Sequence, residues 1–178
     1  GSDGFQIKGG SNLSIQSNLI SGNARYGILI EDSENASFMD NLVGTNFDGT
    51  LDIGNGSGGA AIWTSSDITI GAGNIFSGNA NEGLWLSGVT NATVTGSKFG
   101  TNAAGTAAIS NDNDGIHVDF GSTNVTIGGA TVAERTLLSG NGGQGIEFRE
   151  AATHNNFVFG NYIGTNAAGT AAIPNNDG

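Results

Sequence analysis

Ten residues that occur twice without a change constrain the fold of this chain more than any other feature. The segment GTNAAGTAAI occupies residues 100–109 and again residues 164–173, and a diverged copy, GTNFDGTLDI, occupies residues 44–53. A shorter motif, SGN, alternates with these copies at residues 21–23, 77–79 and 139–141. Two alternating units of this size are typical of a solenoid, in which each unit packs only against its neighbours.

Six coils can be aligned along the chain at a glycine that is followed by alternating apolar residues. The alternation has a period of two and the runs are short, so they predict strands rather than helices. Each coil has three such runs and is too small to bury its own apolar face, so successive coils must stack in parallel. The crossover rule for parallel strands makes the stack right-handed. We therefore predict an all-β, right-handed parallel β-helix of about six coils of three short strands, with coils starting at Gly4, Gly27, Gly59, Gly83, Gly115 and Gly145.

The same alignment predicts which side chains of the first strands face inward and where loops occur. Like residues should stack in two inward ladders, one of Phe5, Ile28, Ala60, Leu84, Ile116 and Ile146, and one of Ile7, Ile30, Ile62, Leu86, Val118 and Phe148. Alternate coils are longer, and we expect their extra residues to form loops that protrude on one side, at residues 47–58, 103–114 and 167–177.

Asparagine recurs at two turns of the aligned coils, where it tolerates left-handed φ and can bond from coil to coil. One predicted ladder contains Asn12, Asn35, Asp67, Asn91, Asn124 and either Asn155 or Asn156. The other contains Asn23, Asn46, Asn79, Asn102, Asn141 and Asn166.

Charge and composition exclude several classes of function. The net charge is −11 with only five Lys and Arg residues, which argues against nucleic acid as a partner because phosphate binding needs a basic surface. The chain has no cysteine and therefore no disulfide framework. No apolar run approaches the roughly 18 residues of a membrane-spanning helix, so we expect no membrane insertion.

The two ends of the sequence suggest how it relates to a longer array. Residues 1–2, Gly-Ser, look like an expression scar, and residues 3–178 look like a single β-helix segment cut in register from a longer series of coils. A cut solenoid exposes unpaired strand edges. We therefore expect end-to-end self-association through the uncapped ends.

Two segments resemble a known family. NLISGNARYGILI (residues 18–30) and NYIGTNAAGTAAIPN (residues 161–175) are similar to the tandem units of right-handed parallel β-helix repeat proteins in the pectate-lyase-like superfamily, in particular bacterial surface and secreted proteins. The resemblance implies a secreted or cell-surface bacterial location. Relatives include polysaccharide lyases, glycosidases, epimerases and non-catalytic adhesin or spacer arrays, and fold alone does not select among them. The NTD, GHG, RIK and DPH motifs of the enzymes are absent from this sequence.

The outward positions of the first strands are the most informative surface in the sequence. Trp63 and Trp85 fall on neighbouring coils, where their rings can stack on the apolar faces of sugars, and Arg149 can bond sugar hydroxyls. His117, Asp119 and Glu147 follow on the next two coils and are candidates for acid–base catalysis. The alternative is that these aromatic and charged residues only stabilise the sheet surface. The two predicted outward columns are Gln6, Leu29, Ala61, Trp85, His117, Glu147 and Lys8, Glu31, Trp63, Ser87, Asp119, Arg149.

We expect no cofactor and assign no metal site from the sequence. Clustered acidic residues at two turns make calcium the alternative, although neither turn has the spacing of a defined calcium loop. Candidate ligands are Asp48 and Asp52 in one turn and Asp112 and Asp114 in the other. Acidic turns of this kind commonly serve only as soluble turns.

Two functions remain open at the level of sequence. The first is a rigid structural and binding segment of a larger secreted or surface protein that presents a face to a polysaccharide or cell-surface glycan. The second is a fragment of a polysaccharide-active enzyme, such as a lyase, glycoside hydrolase or epimerase. Near-identity of whole repeat units favours the first, because catalysis needs a singular site.

Overall fold

The computed structural model of the protein describes residues 2–176. It contains eighteen short strands in chain order and one 3₁₀ turn at Val132–Glu134. The strands are β1 Phe5–Lys8, β2 Ser11–Gln16, β3 Leu19–Ile20, β4 Tyr26–Glu31, β5 Glu34–Met39, β6 Leu42–Val43, β7 Gly58–Trp63, β8 Ser66–Ile70, β9 Ile75–Phe76, β10 Leu84–Ser87, β11 Thr90–Val94, β12 Lys98–Phe99, β13 Ile116–Asp119, β14 Thr123–Gly128, β15 Leu137–Leu138, β16 Ile146–Phe148, β17 Phe157–Phe159 and β18 Tyr162–Ile163.

The strands form three six-stranded sheets, and every coil contributes one strand to each sheet. The first sheet has the order β1-β4-β7-β10-β13-β16, and its neighbours pair in parallel. The second and third sheets follow the same coil order with the strands that come next in each coil. The predicted right-handed parallel β-helix is confirmed. No helix among residues 2–176 has the length and apolar character needed to span a membrane.

The core is a column of apolar side chains along the helix axis. The register of both predicted inward ladders is confirmed, since Ile28 pairs with Ala60 and Ile30 with Ile62, and this register continues along the first sheet. Phe148, in the last coil, pairs in this register but is exposed. Ile28, Ile30 and Ile62 are fully buried, and burying such a side chain stabilises the fold by roughly 1.5–3 kcal/mol. This register also fixes which side chains of the first sheet point to solvent.

The first predicted asparagine ladder is confirmed at the turn that begins the second sheet. Its members have φ between 54° and 58°, and the Asn35 side-chain amide donates to Asn12 Oδ1 at 2.7 Å. Asn155, not Asn156, takes the left-handed position in the last coil. The members are Asn12, Asn35, Asp67, Asn91, Asn124 and Asn155.

The second predicted ladder was wrong for the three asparagines of the GTN motifs. Asn46, Asn102 and Asn166 each accept backbone hydrogen bonds inside their own loop, as Asn102 does from Thr106 at 2.9 Å. The residues that stack with the SGN asparagines come after the loop, where the chain rejoins the coil. The buried ladder, with side chains bonded at 2.8–2.9 Å, is Asn23, Asn55, Asn79, Asn111, Asn141 and Asn175.

The three long loops lie on one side of every second coil, as predicted, and they also contact one another; residue 177, at the end of the last predicted loop, lies outside the described residues. Each closes through an antiparallel bridge, such as Thr101 with Ala108. The Ala103 amide donates to Gly49 O, and the Ala167 amide donates to Gly105 O, both at 2.8 Å. The loops therefore form a ridge along the β-helix, with the outward face of the first sheet remaining as a separate surface.

Candidate functional site

The tryptophan, histidine and acidic side chains that could form a functional site lie on the outward face of the first sheet. Strand pairing sets Trp85 of β10 beside His117 of β13, and His117 beside Glu147 of β16. In the next outward column, Trp63 of β7 and Asp119 of β13 flank the intervening strand β10. Since neighbouring strands lie about 4.8 Å apart, these residues form one continuous surface.

Three aromatic rings form a row along this face, with one ring on each of three successive coils. The ring centroids of Tyr26 and Trp63 are 5.8 Å apart and those of Trp63 and Trp85 are 5.4 Å apart, both in edge-to-face geometry. The row packs on the outward side chains of Leu29 and Ala61. Edge-to-face packing fixes the orientation of each ring, so the row is preorganised.

A shallow apolar groove of about 400 Å³ opens beside the two tryptophans. Phe120, which sequence reasoning did not single out, forms part of its wall and is 63% exposed. The groove gives an incoming molecule access to the partly buried indole rings. Its lining residues are Trp63, Thr64, Trp85, Ser87, Gly88 and Phe120.

Next to the aromatic row lies a cluster of carboxylates around one histidine. Nδ1 of His117 is 3.0 Å from Asp114 Oδ2 and 3.0 Å from Glu147 Oε2. Nε2 of the same ring is 3.2 Å from Asp119 Oδ2, and the Trp85 indole N–H donates to Asp119 Oδ1 at 3.0 Å. His117, Asp114 and Asp119 are buried, so these charges interact with little screening by water.

Glu82 adds a further carboxylate to this cluster. Its side chain is only 8% exposed, and Oε1 accepts a hydrogen bond from the Asn113 side-chain amide at 3.1 Å. Oε2 is buried and has no hydrogen-bond partner among residues 2–176. A buried, unpaired carboxylate oxygen is costly, so this atom is a feature that a ligand or proton would stabilise.

The surroundings move the pKa values of three members in different directions. The hydrogen bond to Asp114 raises the pKa of His117, and the charges of Asp119 and Glu147 act in the same direction. Burial alone would raise the pKa of Asp114, but hydrogen bonds from His117 and the Gln144 amide lower it below its usual value. Burial raises the pKa of Glu82. His117 therefore tends to remain an imidazolium that neutralises Asp114.

We expect the thermal stability of the protein to fall as the pH rises above neutrality. The folded-state pKa of His117 lies above its unfolded value of about 6.5. Its contribution to stability is therefore fully present below about pH 6.5 and is lost as the pH rises through the folded pKa. The unfolding temperature, measured by circular dichroism between about pH 6 and pH 9 in buffer with chelator, should decrease, and His117→Gln should abolish this dependence.

The second histidine provides the matched control for this experiment. His154 is exposed, so His154→Gln should keep the wild-type dependence on pH. A His117→Gln variant that retained the full decrease would show that another group causes it.

The remaining predicted site residues are divided between this face and other surfaces. Arg149 extends from the edge of the cluster, with its Nε 3.1 Å from Glu147 Oε1 and a side chain that is 64% exposed. Asp112 is exposed. Asp48 and Asp52 are exposed in the 44–53 loop, where Asp52 accepts a hydrogen bond from the Gly54 amide. Of the four aspartates considered for calcium, only Asp114 belongs to the cluster.

Sequence reasoning missed Tyr26 and Glu82 as members of this surface, although the alignment contained a pattern that reveals them. Each stands immediately before the glycine that starts a coil, as Asp114 does. The residue before that glycine forms a third outward column beside the two that were predicted. The signal in the sequence that could have identified this column is the pair of acidic residues on neighbouring coils, Glu82 and Asp114.

Comparison with known proteins agrees with the fold. A family model described as "Right handed beta helix region" matches residues 1–70. No curated protein matches the chain. A solved structure of HetL, a pentapeptide repeat protein involved in heterocyst differentiation regulation from the cyanobacterium Nostoc sp. strain PCC 7120, aligns with 96% of this chain and 90% of its own at 11% identity. The TM-score of 0.19 does not support a common fold.

Proposed function

We propose that this chain is a rigid β-helical binding segment of a secreted or cell-surface bacterial protein, and that the outward face of its first sheet binds a glycan. The observation that carries this proposal is the row of Tyr26, Trp63 and Trp85 beside the apolar groove. Aromatic side chains at a sheet surface offer large, rigid apolar areas. The apolar faces of pyranose rings can pack against these aromatic surfaces.

The polar groups around the row suit the hydroxyl groups of the same ligand. Glu147 and the exposed Arg149 lie at one end of the face, where a carboxylate can accept hydrogen bonds and a guanidinium can donate them. Trp63 and Trp85 fall on successive coils, so an extended glycan that lies along the helix axis meets one ring on each of these two coils. Tyr26 is buried and supports Trp63 from the preceding coil. A repeat segment that presents this face therefore recognises a linear polymer better than a compact molecule.

The charge of the face favours a neutral glycan or one that carries amino groups. The chain has a net charge of −11, and four carboxylates surround His117 in the cluster. Polyanionic chains are repelled by such a surface. We therefore expect neutral polysaccharides and aminosugar polymers to bind more tightly than acidic ones.

Replacement of either tryptophan should weaken glycan binding strongly. For Trp63→Ala and Trp85→Ala we expect the affinity for a bound oligosaccharide to fall by about 30-fold, because buried aromatic anchors commonly contribute about 2 kcal/mol or more. Isothermal titration calorimetry gives the affinities. Tyr162→Ala, an aromatic substitution on the third sheet, should bind as the wild type does. Equal affinity in all four proteins would refute a glycan-binding role for this face.

A second candidate function, cleavage of the glycan, is favoured by one specific observation. Glu82 and Asp114 occupy the same outward column on neighbouring coils, and their pKa values are shifted up and down, respectively. A carboxyl group with a raised pKa near a carboxylate with a lowered pKa matches the division between acid and base that glycoside hydrolysis uses. New reducing ends that appear with the wild type and disappear with Glu82→Gln would establish cleavage. Binding without products would leave a binding segment.

A further inference from the structure

Three side chains of the cluster direct one donor atom each towards a common point. The donors are Asp114 Oδ2, His117 Nδ1 and Glu147 Oε2, and all three lie within 4.8 Å of one another. They come from two adjacent coils, with Glu147 on the coil after that of Asp114 and His117. An imidazole nitrogen between two carboxylate oxygens is a donor set that transition metals accept.

Hydrogen bonding alone accounts poorly for this arrangement. Nδ1 of His117 lies 3.0 Å from both carboxylates, yet the nitrogen carries a single N–H, which fully serves one acceptor. In the protein without a metal ion, the His117 imidazolium between the two carboxylates supplies the positive charge that offsets their repulsion. A divalent cation satisfies all three donors at once.

The second atom of each donor group is already held by another partner. Asp114 Oδ1 accepts a hydrogen bond from the Gln144 amide at 2.8 Å. Glu147 Oε1 is 3.1 Å from Arg149 Nε.

The histidine is held in the same way, because its Nε2 faces Asp119. A histidine that ligates a metal through one nitrogen usually donates its other N–H to a carboxylate, which fixes the orientation of the ring. Asp119 is itself oriented by the Trp85 indole N–H. The cluster thus has both the donor atoms of a metal centre and the surrounding hydrogen bonds that orient the ligand side chains.

Glu82 gives an independent indication that the cluster holds a cation. Its side chain is more than nine-tenths buried, and Oε2 has no hydrogen-bond partner in the described part of the chain. Glu82 and His117 interact through their charges, and the charge of Asp114 acts on Glu82. A cation bound in the cluster would offset part of the free-energy cost of burying this unpaired carboxylate oxygen.

We propose that Asp114, His117 and Glu147 bind a divalent transition-metal ion, for which Zn²⁺ is the natural probe. Asp119 acts as a positioning residue through Nε2 of His117. The imidazole ligand favours Zn²⁺ over Ca²⁺, which takes oxygen ligands, and the two carboxylates make Mn²⁺ the weaker alternative. This site does not depend on glycan binding, and the two are tested by separate measurements.

The test is calorimetric titration of chelator-treated protein with ZnCl₂, MnCl₂ and CaCl₂. The wild type should bind one Zn²⁺ per chain, and Zn²⁺ should raise its unfolding temperature because the ion binds the folded state. Glu147→Gln and His117→Gln should lose more than the roughly 10- to 100-fold in affinity that removal of an outer partner typically costs. Asp119→Asn should fall within that smaller range.

Glu34→Gln is the matched control, because Glu34 is an exposed carboxylate on the second sheet, and it should bind Zn²⁺ as the wild type does. Glu147 is the most exposed of the three ligands, so Glu147→Gln tests the site even where a substitution at the buried Asp114 prevents folding. Absence of Zn²⁺ and Mn²⁺ binding by the wild type would overturn the proposal. Unchanged Zn²⁺ affinity in folded Glu147→Gln and His117→Gln would also overturn it.

Discussion

Substitution of Phe99 by alanine should lower the free energy of unfolding by about 3–5 kcal/mol. The rings of Phe76 and Phe99 stack at 5.2 Å with an interplanar angle of 7°, and both side chains are fully buried. Because coils contact only their neighbours in a solenoid, the cavity would weaken the packing of the fourth coil against the coils on both sides. Chemical denaturation followed by circular dichroism measures the loss.

Phe47 provides a matched control for Phe99, because it lies in a loop with 79% of its surface exposed. Phe47→Ala should change the free energy of unfolding by less than about 0.5 kcal/mol. A similar loss in the two variants would mean that the stacked phenylalanines do not belong to a tightly packed core.

Substitution of Asn79 by alanine should cost about 3 kcal/mol, although asparagine is polar and the position is a turn. The Asn79 side chain is fully buried and donates to Asn111 Oδ1 at 2.9 Å and to Val43 O at 3.2 Å. Its Oδ1 accepts from the Asn55 side-chain amide at 2.9 Å. Alanine would leave these neighbouring groups buried without partners, and each such group costs about 1–3 kcal/mol.

Asn102→Ala is the control that distinguishes the stability contribution of an asparagine in the ladder from that of an asparagine in a loop. Asn102 Oδ1 caps the backbone of its own loop by accepting from the Thr106 amide at 2.9 Å, and its loss should cost about 1 kcal/mol. The unfolding temperatures of the two variants, measured in parallel, should therefore differ clearly. Equal losses would contradict the assignment of Asn79 to a buried coil-to-coil ladder.

The fold was predictable from the sequence because each coil repeats the same alternation. Gly27 and Gly59 precede inward residues at the same spacing, and the pairing of Ile28 with Ala60 follows from their alignment. The outward positions of Trp85 and His117 follow from the same alternation, since the neighbours of inward residues along a strand point away from the core. The sequence therefore placed most of the candidate site on one surface.

The second asparagine ladder and the geometry of the cluster around His117 could not be predicted, because they depend on contacts that the alternation of apolar residues does not specify. SGN and GTN look equivalent in sequence, but the GTN motif opens a loop, and the ladder resumes only at Asn55 after the loop closes through the bridge between Thr45 and Asp52. Likewise, Glu82 lies before the first residue of β10, Leu84, where period-two alternation does not predict whether a side chain points inward or outward. Convergence of Asp114 and Glu147 on one nitrogen of His117 depends on side-chain conformations that a pattern of residue types does not specify.

Tryptophan fluorescence tests most directly whether the aromatic row on the first sheet binds a glycan. Both tryptophans of the chain, Trp63 and Trp85, belong to that row, so the whole signal reports on the proposed face. Titration with a panel of neutral, aminosugar and acidic polysaccharides should give a saturable change with a neutral or aminosugar polymer, and Trp63→Ala and Trp85→Ala should each greatly weaken it. No change across the panel would contradict the claim and would leave the aromatic row as packing on the surface of a spacer.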